Sequence, residues 1–98
     1  MKSILINTNG DLKVIDIRPD GEKIREILGG PVDTIRLFSN AVTYIKRFPE
    51  ETDKFNKKIH GVKGSVLITG GHGSYFSDLT EKQISDISLI FNGVMAYG

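Results

Sequence analysis

Short apolar runs punctuated by turn formers organise the front of the chain. Ile4-Leu5-Ile6, then Thr8-Asn9-Gly10-Asp11, then Leu12 to Ile17, reads as a β-hairpin. Asn-Gly supplies the positive φ angles that a tight hairpin turn needs. On the second strand Lys13, Ile15 and Ile17 fall on one face, Val14 and Asp16 on the other, so the strand is read as half-buried. Pro19-Asp20-Gly21 breaks it. Asp20 then caps a helix of two turns at most, with Ile24, Ile27 and Leu28 at core-facing spacing. Gly29-Gly30 ends that helix and Pro31 blocks its continuation.

Val32 to Phe38 alternates loosely, Val32, Thr34 and Arg36 against Asp33, Ile35 and Leu37, and is a strand. Ser39-Asn40 turns the chain, and Ala41 to Ile45 returns as its partner. Phe48 to Gly61 is polar and charged. Pro49-Glu50-Glu51 suits the first turn of a helix, and Phe55 and Ile59 are its candidate anchors, which makes this a loop with one helical turn. Ser65 to Thr69 is the most apolar strand and so the central one. After the loop Gly70 to Tyr75, Thr80-Glu81-Lys82-Gln83 forms a capping box. Ile84, Ile87 and Phe91 line one face of the helix that follows, and Gly93 is expected to stop it ahead of an apolar tail, Val94 to Tyr97. The pattern predicts an α+β fold: one domain over residues 1–98, a small five-stranded, mostly antiparallel sheet and two main helices in the order β-β-α-β-β-β-α.

Composition narrows the chemistry. With 98 residues and 39% hydrophobic content there is material for one modest core, so homo-oligomerisation is expected. The absence of cysteine excludes disulfides and thiolate metal sites, and two histidines, His60 and His72, make a poor metal set even with Asp78. Thirteen basic residues nearly balance twelve acidic ones, so neither a double-stranded nucleic-acid binder nor an acidic DNA mimic is expected. The three apolar residues after Ser3 are too few for a secretory signal, which points to the cytoplasm of the host cell. No apolar run approaches the roughly 20 residues of a membrane span. Neither metal nor cofactor is expected.

Several of these stretches occur together in an order that resembles a known family. They are the opening hairpin, the joint Ile27-Leu28-Gly29-Gly30-Pro31-Val32, Gly64 before Val66-Leu67-Ile68-Thr69-Gly70, and Leu79-Thr80-Glu81-Lys82-Gln83-Ile84. The order resembles a small family of unknown function carried by phages and other mobile elements, often near antirestriction genes. The departures are Ser39-Asn40-Ala41 after the third strand, where that family places an acidic glycine turn, and a loose match around Phe55-Asn56-Lys57. What the resemblance implies is a setting, that of small counter-defence proteins, some of which sequester nucleotide signals.

The candidate site gathers around the loop after the central strand. In Gly70, Gly71, His72, Gly73, Ser74 and Tyr75, glycines let backbone N–H groups close on an anion, His72 and Ser74 add donors, and Tyr75 offers a stacking face. The lysine of a phosphate-binding P-loop is missing, and no helix opens directly on these glycines as a dinucleotide fingerprint requires. Arg36, Tyr44 and Lys46, with Arg47 on the opposite face, extend the set as a basic and aromatic strand face. Lys54, Lys57 and Lys58 read as a solvated surface neutralised by Glu50, Glu51 and Asp53. Ser74 two residues from His72 lacks the fixed carboxylate and oxyanion hole that serine chemistry needs, so no catalytic residue is expected. The expected function is non-enzymatic: sequestration of a small anionic, nucleotide-derived signal by a counter-defence accessory protein. A protein–protein inhibitor or structural module without a small ligand is the alternative, and a small nucleotide hydrolase the third.

Overall fold

A computed structural model describes residues 1–71 and 76–97; for residues 92–97 it describes the backbone alone. The elements are β1 (Lys2–Ile6), β2 (Leu12–Asp16), α1 (Gly21–Leu28), β3 (Val32–Phe38), β4 (Ala41–Lys46), β5 (Val66–Gly70) and α2 (Glu81–Tyr97). The strands form one five-stranded sheet in the order β2-β1-β5-β4-β3, antiparallel at every pairing. This is the α+β fold that the periodicity predicts. β5 sits in the middle, and all five of its residues, Thr69 included, are buried.

Alternation sorts the core onto two faces. Ile4, Ile6, Ala41, Val66 and Ile68 point to the side covered by Ile59, Leu79 and Ile87, with Ile84 and Phe91 of α2 packed alongside. Val42, Tyr44 and Leu67 point to the other side, where Ile24 and Leu28 of α1 close over them with Ile17. Each fully buried Ile or Leu stabilises the fold by about 1.5–3 kcal/mol. On the outer strand β2, Val14 stays 55% exposed, so its second face is uncovered.

The local signals act mostly as expected. Asp20 caps α1 by accepting from Lys23 N–H at 2.7 Å, and Gly29 ends it with φ of 90°. In the capping box Thr80 N–H donates to Gln83 Oε1 at 2.8 Å while Gln83 N–H donates to Thr80 Oγ1 at 3.1 Å. Gln83 Nε2 also donates to Asn40 O at 2.8 Å, which ties α2 to the β3–β4 turn.

Some expectations need correction. The first hairpin does not close on a two-residue Asn-Gly turn. Gly10 N–H donates to Asn7 O at 2.9 Å, Asn7 N–H donates to Asp11 O at 3.0 Å, and only Gly10 has positive φ, at 93°. That is the longer loop in which one left-handed glycine follows a turn. β3 does not alternate throughout: Ile35 pairs with Thr43 but Phe38 with Ala41, so Arg36 and Leu37 share the space opposite Val42 in a bulge. The bulge returns Phe38 to the side of Ile35 and leaves Leu37 42% exposed. α2 passes through Gly93 to Tyr97, because a lone helical glycine costs only about 1 kcal/mol and breaks nothing unless the chain turns left-handed there.

The segment between β4 and β5 is not helical either. Its middle forms a narrow ribbon in which Phe55 bridges Lys63, Asn56 N–H donates to Val62 O at 2.7 Å and Gly64 N–H donates to Lys54 O at 2.8 Å. Asn56 anchors it. Buried at 5% exposure, its Nδ2 donates to Ile6 O (3.2 Å) and Gly64 O (3.1 Å), and its Oδ1 accepts from Lys58 N–H (2.9 Å) and Ile59 N–H (3.2 Å). Of the two apolar anchors expected here, Ile59 is buried at 5% exposure and Phe55 is not, at 62%.

Candidate functional site

β5 ends where β3 turns into β4, since Ala41 pairs with both Gly70 and Phe38. At that end of the sheet an open cleft of about 350 Å³ is lined by Thr34, Ile35, Arg36, Phe38, Ser39, Ala41, Val42 and Gly71. Among its described lining residues the one charged side chain is Arg36. Arg36 follows Thr34 on the same strand face and is the first of the two residues that share the space opposite Val42 in the bulge. Among the described residues the exposed guanidinium makes no ion pair and no hydrogen bond. A guanidinium held in that way is a ready bidentate partner for a carboxylate or phosphate.

Gly70 and Gly71 do different things. Gly70 N–H donates to Ser77 O at 3.1 Å, and the backbone of residues 77 and 78 crosses directly over its Cα. Gly70 is therefore a packing residue whose missing side chain lets two backbone segments touch. Gly71 has φ of 90° and lines the cleft beside Arg36. His72, Gly73, Ser74 and Tyr75 lie outside the described residues.

Tyr44 and Lys46 do not join the site. Tyr44 is 7% exposed in the core under α1, where burial pushes its hydroxyl pKa up and a hydrogen bond with Thr69 works against that rise. Alternation does place Tyr44 and Lys46 on one face, but that face is the one α1 covers. Lys46 Nζ is 2.8 Å from Asp53 Oδ2 in a pair whose side chains are 15% and 22% exposed. Its stem packs against Gly29 at the C-terminus of α1, where a cation is favoured. The Lys46 ammonium beside Asp53, then the Glu50 N–H, hold the Asp53 carboxyl below the usual carboxylate range. Arg47, on the opposite face as expected, pairs with Asp33 at 2.9 Å. The basic and aromatic strand face is thus split between core and ion pairs, and Arg36 alone remains open.

Two other sequence readings change. Asp53 is taken by Lys46, so it does not neutralise Lys54 and Lys57. Asp78 accepts from Lys2 N–H at 2.7 Å and lies 3.8 Å from the Met1 ammonium, which makes it a clamp on the start of β1. Thr34 and Ser39 were not singled out from sequence. Thr34 reaches the cleft by the alternation that it shares with Arg36, and Ser39 reaches it through the turn, which no strand period shows. Among the described residues no three His, Cys, Asp or Glu side chains stand close enough to share a metal ion, and no helix is long and apolar enough to cross a membrane. Comparison with protein-family models, with curated proteins and with solved structures yields no match for this chain.

Proposed function

We propose that this chain is a non-enzymatic binding module of phage or mobile-element origin, a counter-defence protein that sequesters a small anionic, nucleotide-derived signal in the cleft beside Arg36. One observation carries the reading: an exposed arginine, unpaired among the described residues, that lines a cleft with a glycine of positive φ at the β3 bulge. The volume falls within the range of about 300–1,000 Å³ usual for small-molecule sites. Thr34 and Ser39 supply hydroxyls beside it, and Ile35, Phe38 and Val42 supply an apolar wall against which a base can rest.

Calorimetric titration with cyclic and linear nucleotides tests this. The wild type is expected to bind at least one of them. Arg36→Ala is expected to weaken binding about 10- to 100-fold, the loss of a hydrogen bond to a charged oxygen, with an unchanged melting temperature. Lys46→Met is expected to do the reverse: unchanged affinity, and stability lower by about 1 kcal/mol from the lost partly buried pair. Absence of binding by the wild type to every nucleotide removes the proposal, and turnover of a bound nucleotide replaces it with the hydrolase.

A second reading, an interaction module acting as a homo-oligomer, draws on a different surface. A groove of about 360 Å³ is lined by Leu37, Phe38, Lys58, Ile59, His60, Ile90 and Phe91, and Leu37 and Ile90 are 42% and 58% exposed. Leu89, next along α2, is 62% exposed. Apolar side chains gathered on one small surface favour a covering partner. Light scattering at tens of micromolar protein is expected to give the mass of at least two chains. The 10.8 kDa of one chain would exclude self-association through this groove.

A further inference from the structure

The ribbon between β4 and β5 carries a surface at the other end of the sheet from the Arg36 cleft, since Asn56 binds it to Ile6 and Ile6 pairs with Val66, the first residue of β5. Over residues 54–63 the sequence Lys-Phe-Asn-Lys-Lys-Ile-His-Gly-Val-Lys holds four lysines, one histidine and no acid. Lys54 and Lys57 are exposed, and among the described residues neither side chain makes an ion pair or a hydrogen bond. Phe55 is 62% exposed although it sits in the best-tethered part of the loop, bridged to Lys63 and followed by the buried Asn56. The Lys63 ammonium stands 5.2 Å from the centre of its ring. The phenyl group is therefore held out on a fixed backbone, with a cation over it and further cations along the same ribbon.

A singly exposed aromatic is common on protein surfaces, so what distinguishes Phe55 is the set of cations around it. A rigid ring flanked by lysines matches the demands of an unpaired nucleobase followed by its phosphates: stacking on the ring, and charge neutralisation along the backbone. A duplex hides base faces in its stack, and an acidic peptide gives the ring nothing to stack on. We propose that the ribbon Phe55–Lys63 is a docking platform for single-stranded nucleic acid, with Phe55 stacking on a base and Lys54, Lys57 and Lys63 contacting phosphates. This surface is separate from the Arg36 cleft and does not depend on what that cleft binds.

Fluorescence anisotropy of a labelled oligothymidylate of about ten nucleotides, beside a duplex of the same length and a labelled polyglutamate, tests it. The wild type is expected to bind the single strand at low salt, more tightly than the other two probes. The logarithmic salt slope is expected near −2, about 0.7 for each of three phosphate contacts. Phe55→Ala should weaken binding about tenfold with an unchanged thermal melt, Phe55→Trp should retain or tighten it, and Arg36→Ala should leave it unaltered. Lys54→Ala with Lys57→Ala should flatten the salt slope. No binding of the single strand at low salt overturns the proposal. So does full affinity in Phe55→Ala, or polyglutamate binding as tightly as the oligonucleotide, which would reduce the ribbon to a charge patch.

Discussion

Asn56→Ala will lower the stability of the fold by about 3–5 kcal/mol, because several buried backbone groups lose their partners together, each at roughly 1–3 kcal/mol. The carbonyls of Ile6 and Gly64 lose a donor, and the N–H groups of Lys58 and Ile59 lose an acceptor. In a domain of this size that loss corresponds to a fall in Tm of about 15 °C or more, read by circular dichroism. Asn56→Asp separates hydrogen bonding from packing. Aspartate fills the same space but sets an oxygen against the carbonyls of Ile6 and Gly64, so it should destabilise at least as much as alanine. A wild-type melt for Asn56→Asp would show that the amide donors carry nothing.

Gly70→Ala is expected to cost at least about 3 kcal/mol, although it adds one methyl group. A Cβ there would overlap the carbonyl oxygen of Asp78, stand 2.8 Å from its carbonyl carbon and 3.1 Å from Ser77 O. All three are backbone atoms, so no rotamer change relieves the clash, and residues 77 and 78 must move off the strand. That movement would also free Leu79, whose N–H donates to Lys2 O at 2.9 Å and whose side chain is 2% exposed in the core. Urea denaturation of the variant should show a lower midpoint with an unchanged slope. A midpoint within error of wild type would mean that the 70–78 contact is not made in solution.

The sequence carries the architecture well because each element has its own local signal. Asp20 and Gly29 bound α1, Thr80 and Gln83 open α2, and β5 carries the apolar run Val66-Leu67-Ile68. The candidate site is less legible, for three physical reasons. Alternation placed Tyr44 and Lys46 on one face but could not say that a short helix covers it. A bulge is one residue of slippage, which no period-2 pattern displays, and it decides where Leu37 and Phe38 go. Asn56 looks like any other polar loop residue until the carbonyls it must satisfy, 50 and 8 residues away, are brought to it. Buried polar anchors of this kind are set by tertiary contacts alone.

The position of β5 at the centre of the sheet bears on how the chain reaches this structure. β1 with β2, and β3 with β4, are hairpins between neighbours in sequence and can pair within microseconds of being available. Neither hairpin touches the other in the sheet; the strand that joins them comes next to last among the elements and pairs with both. Both pairings of β5 join segments far apart in sequence, contacts of the kind that slow folding, whereas each hairpin pairs locally. Without Val66 to Gly70 the inner edges of β1 and β4 have no partner, so the sheet exists as one cooperative unit only when β5 is in place.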